Sequence, residues 1–270
     1  MQQDVLSLIE QNYPSLSPSA RAIANYLQQH PLAIVSQTSA QIAEQTGTSK
    51  ATVSRFFRQL GFESQQDAKQ AQLALRQSGV PVMTHDQSID QTATELNNLA
   101  QTFAGLNPET LAAVSQQIAH ASRVTLIGFR NSYPVALHFR QQLQQIRPAV
   151  RLLPQPGQTL GEDIHDILED EVVILLGFQR RTKAFKSIIN ALTGRNVILI
   201  TDPTGQVYNQ HANHILICHL GNENPFYSYA APMSLVSMLC NQVYEQLGET
   251  AQLRTQSISN LYHDLDELEG

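Results

Sequence analysis

Cysteine is scarce in this chain, and no run of apolar residues approaches the ~20 that a membrane-spanning helix needs. The two cysteines, Cys218 and Cys240, lie in apolar stretches, which favours buried free thiols over a disulfide. No spacing of residues is typical of a metal site, and no cofactor is expected. The amino terminus, MQQDVLSLIEQ, lacks the basic start and apolar run of a signal peptide. We therefore expect a cytoplasmic protein without a membrane partner.

Charged residues are also few, at 15% of 270, and the net charge is -6. The acidic excess is unevenly distributed. Residues 1–78 contain six basic and five acidic residues, for a net charge of +1, which leaves −7 for the rest of the chain. Because phosphate contacts supply much of the affinity of a DNA-binding protein, a single copy with +1 would hold DNA weakly. The charge distribution therefore favours two or more copies, as a homodimer or a homotetramer.

The hydrophobic pattern changes its period along the chain. Residues 1–78 show helical spacing, and Ser78-Gly79-Val80-Pro81 interrupts it. Further on, short runs rich in Val and Ile alternate with helical stretches, which is typical of a parallel sheet covered on both faces. The predicted strands are Arg123–Phe129, Val150–Leu153, Glu171–Phe178, Asn196–Thr201 and His214–His219. We predict an all-α helix-turn-helix domain (1–78), a linker (79–88) and a doubly wound α/β domain (89–270).

Several helices of the second domain are also predicted from spacing. A helix from Asp86 to Leu106 should pack through four residues at helical intervals. These are Ile89, Ala93, Leu96 and Leu99. Pro108 then starts a helix that ends near His120, and two further helices are predicted at Ala230–Leu247 and Ala251–Leu268.

The segment from Gln41 to Gly61, QIAEQTGTSKATVSRFFRQLG, has the spacing of a helix-turn-helix DNA reader. Gly47 allows the tight turn, Ser49 caps the second helix and Gly61 ends it. One face of that helix is apolar at intervals of three and four residues and is expected to be buried. This face consists of Val53, Phe56, Phe57 and Leu60.

The opposite face of the same helix carries side chains that can reach base edges and phosphates. The predicted DNA-binding residues are Ser49, Lys50, Thr52, Ser54, Arg55 and Arg58. Helix-turn-helix packing also occurs in domains that bind no DNA, and Arg55 could instead form an ion pair with Glu44. The turn length, the serine cap and the basic residues coincide, which favours DNA binding.

These residues resemble the amino-terminal domain of the RpiR family of bacterial regulators, also called MurR- or HexR-like. The resemblance runs from Leu16 to Lys69 and is carried by SPSARAIANYLQQHP, TSAQIAEQTGTSKATVSRFFRQLGF and QDAK. The family pattern has a Ser, one residue and Ala-Thr-Val, then Arg-Phe, then Leu-Gly-Phe. In this chain those positions are Ser49, Ala51-Thr52-Val53, Arg55-Phe56 and Leu60-Gly61-Phe62. The resemblance implies a transcription factor that binds a double-stranded DNA operator.

The same resemblance implies a carboxyl-terminal SIS (sugar isomerase) domain, which usually binds phosphorylated sugars and is not an enzyme in these regulators. In open parallel sheets, ligands bind where strands end and helices begin. Two loops after strands supply the main candidate ligand-binding residues, and a third loop supplies two more. They are Arg130, Asn131 and Ser132; Gln179, Arg180, Arg181, Thr182 and Lys183; and Gln158 and Thr159.

Both main loops depart from the family pattern. The first usually reads Gly-x-Gly-x-Ser, and here Gly128 and Ser132 are kept while Arg130 replaces the second glycine. The second usually reads Ser-x-Ser-Gly-x-Thr, and only Thr182 is kept, because Gly177, Gln179 and Arg180 fill the other three places. Arginine recognises planar and tetrahedral anions through paired hydrogen bonds. We expect a small anionic effector, either a phosphorylated sugar or a related carboxylate, although the arginines could instead form subunit or interdomain salt bridges in a pocket that binds nothing.

Three functions compete at this point. A metabolite-controlled transcription factor would change its operator affinity when the effector binds the sheet domain. An aldose–ketose isomerase would need a general base, and the nearest candidates are Glu162, Asp163 and His165. A ligand-independent structural DNA binder would need many basic residues, which this chain lacks. The sequence favours the first.

Overall fold

The computed structural model describes residues 4–30, 33–78, 90–221 and 226–268. The chain divides into two compact units: residues 1–94 with 221–227, and residues 95–220 with 228–270. The predicted linker, residues 79–88, lies outside the described residues, so the predicted limits at 78 and 89 stay predictions. No helix of the described residues is long and apolar enough to cross a bilayer.

The first unit is helical, as predicted. Its helices are α1 (Val5–Asn12), α2 (Pro18–Gln29), α3 (Ala33–Ser36), α4 (Ser39–Gln45), α5 (Lys50–Gln59) and α6 (Gln65–Ser78). They enclose one hydrophobic core, in which α5 supplies the largest side chains, Phe56 and Phe57. The two rings meet edge to face, with 5.3 Å between their centroids.

Hydroxyl side chains define where four of these helices begin. Ser17 caps α2, Thr38 caps α4, Ser49 caps α5 and Ser64 caps α6, and each Oγ atom accepts a backbone N–H three residues ahead at 3.1–3.3 Å. Thr38 forms a full capping box, because the side chain of Gln41 also accepts the N–H of Thr38. The cap predicted at Ser49 is therefore confirmed.

The second unit is a parallel sheet with helices, as predicted. Its elements are α7 (Gln91–Ala104, of which the first four residues fall in the first unit), α8 (Pro108–His120), β1 (Val124–Gly128), α9 (Ser132–Ile146), β2 (Val150–Leu153), α10 (Gly161–His165), β3 (Val172–Gly177), α11 (Phe185–Ala191), β4 (Asn196–Thr201), β5 (His214–Ile217), α12 (Ala230–Leu247) and α13 (Glu249–Asp264). The strand order is β2-β1-β3-β4-β5, and all neighbours are parallel. The five predicted strands are confirmed within two residues at each end.

The predicted inner face of α7 is wrong. Leu96 is 62% exposed, and the buried residues of the helix are Asn98 and Thr102. The Thr102 hydroxyl donates to the Asn98 carbonyl at 2.8 Å and accepts the N–H of His219 at 2.8 Å. Hydrogen bonding satisfies this buried hydroxyl, so the buried face of α7 carries polar residues and not the predicted Leu96. Ile89, the first residue of the predicted stripe, lies outside the described residues.

A buried polar cluster joins three strands at the amino edge of the sheet. Glu171, which is fully buried, precedes β3 and pairs with Arg123 at 3.0 Å and with Arg151 of β2 at 3.2 Å. Its carboxylate also accepts the hydroxyl of Thr125 in β1. Arg151 in turn pairs with Asp163 at 3.4 Å. A buried carboxylate requires such partners, because it has lost its hydration.

Candidate nucleic-acid interface and ligand-binding loops

The turn between α4 and α5 is fixed by a glycine. Gly47 has a φ of +62°, a left-handed conformation that other residues rarely adopt. The N–H of Thr48 donates to the Ala43 carbonyl at 2.9 Å, and the N–H of Gly47 to the Glu44 carbonyl at 3.3 Å. These two bonds form a Schellman motif, which ends α4 and lets α5 begin five residues later.

The inner face of α5 is buried as predicted. Val53, Phe56, Phe57 and Leu60 are each at most 4% exposed. Gly61, with a φ of +94°, ends the helix in a second Schellman motif, in which Phe62 N–H donates to the Phe57 carbonyl at 3.0 Å. Ser49 and Gly61 therefore fix the two ends of α5, and one side of this helix is buried in the core.

The outer face of α5 presents two of the predicted basic residues, Arg55 and Arg58, while the third, Lys50, is exposed in the first turn. Lys50, Arg55 and Arg58 are exposed, while Thr52 and Ser54 are half-buried at the margins of this face. Consecutive residues are separated by about 100° around a helix axis, which places Arg55 and Arg58 nearly opposite the buried face. Ser49 is exposed, but its hydroxyl caps the helix and lies 2.9 Å from Thr52 Oγ1.

The contacts of Arg55 stay within its own helix. Its Nη2 donates to Thr52 Oγ1 and its Nε to the Ala51 carbonyl, both at 3.4 Å. Within the described ranges, no ion pair joins Arg55 to Glu44, the internal pair considered as an alternative. Arg58 Nε donates to the Glu63 carbonyl at 3.4 Å. The long contacts leave both guanidinium groups at the surface.

One exposed polar residue of this face was not among the DNA-binding residues predicted from the sequence. Gln59 is exposed and follows Arg55 by four residues, so the two side chains lie on the same side of α5. A glutamine amide can pair with adenine in the major groove. The helical spacing from Arg55 would have been enough to include it.

The ligand-binding candidates lie where the sheet order changes direction. From β1 the chain passes to β2 on one side, and then returns to β3 on the other. The loops after β1 and β3 therefore meet at the carboxyl edge between neighbouring strands, where open α/β sheets bind ligands. Gly128 ends β1 and Gly177 ends β3, and a Cβ atom at either would collide with a neighbour.

The loop after β1 exposes Arg130. This residue has a φ of +52°, and within the described part of the chain its side chain makes no hydrogen bond or ion pair. Asn131, also exposed, precedes α9 without capping it through its side chain. Ser132 is buried, and its hydroxyl accepts the N–H of Phe178 at 3.4 Å, which connects this loop to the loop after β3.

The first residues of α9 have no free backbone donor for an anion. The N–H of Ser132 donates to the Phe129 carbonyl and that of Tyr133 to the Arg130 carbonyl, both at 3.0 Å. The third residue is Pro134, which has no N–H. Backbone amides at helix amino termini often hold phosphates, but the amides of Ser132 and Tyr133 are already engaged.

The loop after β3 is held by an internal ion pair. Arg181 Nη2 lies 3.0 Å from Asp202 Oδ2 and 2.6 Å from Thr201 Oγ1, and Nη1 lies 2.9 Å from Thr204 Oγ1. The guanidinium carbon also lies 5.6 Å and 5.8 Å from the ring centroids of Phe185 and Tyr208. Arg181 therefore forms a salt bridge within its own unit, and not the subunit or interdomain salt bridge that was the alternative considered from the sequence.

Asp202 is the central acceptor of this loop and was missed from the sequence. It is fully buried at the end of β4, beside β3. Its carboxylate accepts the N–H of Gln179 as well as the guanidinium of Arg181. It also accepts the N–H and hydroxyl of Thr204 at 2.8 Å and 2.6 Å. The sequence signal that could have identified Asp202 is its position directly after the predicted strand Asn196–Thr201.

The remaining candidates differ in exposure. Lys183 is exposed, Arg180 is half-buried with a contact, and Thr182 Oγ1 is buried without a hydrogen-bond partner among the described residues. Gln158 and Thr159 are exposed in the loop after the edge strand β2. The Thr159 hydroxyl lies 3.2 Å from a Glu162 oxygen. Because β1 lies between β2 and β3, these two residues are nearer to the loop after β1 than to the loop after β3.

Two surface grooves lie apart from these loops. One, of about 460 Å³, runs between α9 and α12 beside His138 and Met238. The other, of about 450 Å³, runs between α9 and α13 beside Gln141 and Arg254. The ligand-binding prediction therefore depends on the chemistry of the strand-end loops rather than on these grooves.

Comparison with known proteins agrees with this architecture. Residues 3–77 match the family described as "Helix-turn-helix domain, rpiR family", and residues 117–242 match the SIS domain. An uncharacterised HTH-type transcriptional regulator of Caldanaerobacter subterraneus subsp. tengcongensis is 27% identical over 142 residues, 49% of this chain and 50% of that protein. The chain spans half the length or less of the curated relatives that it matches.

Solved structures share the fold. The sugar isomerase domain of an RpiR transcription factor from Sphaerobacter thermophilus has a TM-score of 0.58 at 19% identity, and covers 63% of this chain and 96% of its own. The Vibrio vulnificus NanR protein complexed with ManNAc-6P also has a TM-score of 0.58 at 19% identity, over 97% of this chain and 98% of its own.

The chain thus joins a helix-turn-helix unit to a SIS-type α/β unit, an arrangement of transcriptional regulators. It belongs to the RpiR family, as the two matched domains together show.

Proposed function

We propose that this protein regulates transcription by binding operator DNA through α5 and a small anionic metabolite at the carboxyl edge of its sheet. The observation that carries the proposal is the two-sided character of α5. One side is buried to at least 96%, while Arg55 and Arg58 extend from the other and Lys50 is exposed in the first turn. A rigid helix with an outward basic face suits the major groove.

Different residues of α5 have different roles in this proposal. The amino-terminal end of a recognition helix contacts base edges, so Lys50 and Thr52 would read sequence together with Arg55. Ser49, Ser54 and Arg58 would contact phosphates and fix the orientation of the helix. Because one reader has little net positive charge, a homodimer or homotetramer would bind a palindromic operator with half-sites a whole number of helical turns apart.

DNA binding is tested first by selecting genomic fragments that the purified protein retains. Arg55→Ala and Lys50→Ala should each weaken binding to the selected fragment by roughly tenfold or more, because a good base contact contributes about 1–3 kcal/mol. Arg21→Ala removes the same charge from the surface of α2 and is the matched control. Equal affinity for wild type and both α5 variants in gel-shift titrations would exclude this interface.

The proposed effector site uses the free charges of the strand-end loops. Arg130 and Lys183 are exposed, and Asn131, Gln179, Arg180 and Thr182 supply further polar groups around them. Gln158 and Thr159 would contact the far end of a ligand. Either a phosphorylated sugar or a related carboxylate fits the arginine, since both accept paired hydrogen bonds. The ManNAc-6P bound to Vibrio NanR supports this class of effector.

A panel of sugar phosphates and sugar acids tests the site. The true effector should raise the melting temperature and change operator affinity, and both effects should be lost in Arg130→Ala. Arg140→Ala, which removes an arginine from the middle of α9, should respond as wild type does. A response that persists in Arg130→Ala would place the ligand elsewhere.

Isomerase activity is the weaker candidate. Of the possible bases, Asp163 pairs with Arg151, Glu162 contacts Thr159, and His165 is exposed beside Asp166. All three follow the edge strand β2. A regulator would catalyse no solvent deuterium exchange at C2 of the panel sugars, and measurable exchange above the buffer rate would favour the enzyme.

A further inference from the structure

We propose that Asp202 serves as an internal anion that occupies the Gln179 N–H and the Arg181 guanidinium in the loop after β3, so that the effector's anionic group is excluded from these two donors and binds Arg130 of the loop after β1. Arg181 is then a positioning residue rather than an effector contact. The inference rests on the proposed effector site and narrows it.

The first argument is the number of donors that Asp202 engages. The Gln179 N–H, the Arg181 guanidinium, and the N–H and hydroxyl of Thr204 all donate to its two oxygens. These are the kinds of group that hold a ligand phosphate or carboxylate at a strand end. An anion arriving at these donors would find them already paired with a carboxylate.

The second argument is that the ion pair cannot open easily. Asp202 is fully buried, so removing Arg181 would leave a desolvated carboxylate without its charge partner. The guanidinium is also closely packed, because a Cβ atom on Gly205 would lie 2.6 Å from Arg181 Nη2. An effector that drew Arg181 outward would have to overcome both effects.

The third argument concerns the charges that are left. Asp202 neutralises Arg181, whereas Arg130 makes no ion pair within the described ranges. The first backbone amides of α9 are engaged or missing, so the anion depends on the Arg130 guanidinium. Asp202 therefore acts as a specificity-determining residue that directs the anion away from Arg181 and toward Arg130.

The experiment compares wild type with Asp202→Asn and with the double variant Arg181→Gln/Asp202→Asn. Inorganic phosphate is the probe, and sodium chloride keeps the ionic strength constant. Phosphate affinity is obtained from melting temperatures over a titration. Asp202→Asn should bind phosphate at least tenfold more tightly than wild type, because the freed guanidinium becomes available. The double variant lacks that guanidinium and should lose the gain, while it keeps the wild-type affinity that depends on Arg130.

Two results would overturn the inference. One is an Asp202→Asn protein that folds and binds phosphate no better than wild type. The other is a double variant that loses the wild-type affinity, because Arg181 would then contact the anion. If Asp202→Asn fails to fold and the double variant folds, the two charges depend on each other as proposed. Failure of every metabolite to alter operator binding would reject the proposed function and leave this result standing.

Discussion

Gly128 shows how closely β1 approaches α9. A Cβ atom there would lie 2.8 Å from the Ser132 carbonyl oxygen and 3.1 Å from the Ala136 Cβ. Because the first obstacle is backbone, Gly128→Ala should lower the free energy of unfolding by about 1–3 kcal/mol, measured by thermal or urea denaturation. Gly161→Ala is the control, since nothing lies within 4 Å of its Cβ position. Similar losses in both variants would contradict the steric explanation.

The two thiols permit a second residue-scale prediction. Burial raises the pKa of the Cys240 thiol to about 12, and burial together with the charge of Asp202 also raises the pKa of Cys218. The thiolate is the reactive form, and a shift from 9.0 to about 12 lowers its fraction roughly a thousandfold at neutral pH. Ellman's reagent should therefore label the native protein very slowly and label both residues quickly in concentrated guanidinium chloride. Fast labelling of the native protein would disprove their burial.

At the scale of the element, Ser49 links the stability of α5 to its proposed contact with DNA. Ser49→Ala removes the cap and should destabilise the first unit by about 0.5–2 kcal/mol. Ser49→Asp keeps a cap and suits the helix dipole, so its stability should stay close to wild type. The new carboxylate would nevertheless face DNA phosphates and weaken operator binding. Denaturation and gel-shift titrations of the same two variants separate these effects.

Two results would contradict the expected stability and operator affinity of these variants. If Ser49→Asp bound the operator as well as wild type did, the amino-terminal end of α5 would not lie near the DNA backbone. If Ser49→Ala were as stable as wild type, the 3.1 Å contact with the Thr52 N–H would contribute little.

Helix ends and strands were predictable because their causes are local. The serine at position 49, the glycines at 47 and 61, and the apolar run of β3 each act within a few residues of where they lie. The inner face of α7 was not predictable in this way. Thr102 is buried because it bonds to His219, more than a hundred residues away, and periodicity contains no information about that partner.

The same distinction holds for the candidate sites. The outward basic face of α5 follows from helical geometry alone, and only Gln59 was overlooked. The strand-end loops were found from topology, but their internal bonding depends on Asp202, which reaches the loop from the neighbouring strand β4. Spacing within a loop cannot reveal a partner that folding brings beside it.

At the scale of the whole molecule, effector and operator must influence each other equally. If the effector changes operator affinity by a given factor, typically 5–150-fold, the operator changes effector affinity by the same factor. The ratio of effector affinities measured with and without the selected DNA fragment should therefore equal the ratio of DNA affinities that gel shifts give with and without the effector. Arg55→Ala, which should no longer bind the fragment well, serves as the control and should show no shift at the same DNA concentration. If the two ratios differ, a second ligand or a change of oligomeric state contributes to the coupling.

The carboxylate of Glu171 has a consequence for how the sheet could respond. Thr125, Arg151 and Glu171 tie β1, β2 and the start of β3 together at the edge remote from the strand-end loops. Strands clamped at one end cannot slide along each other, so their hydrogen-bond register is insensitive to whatever occupies the other end. Any mechanical signal must then travel outward through the flanking helices, and α9, which starts beside Arg130, is the first of them.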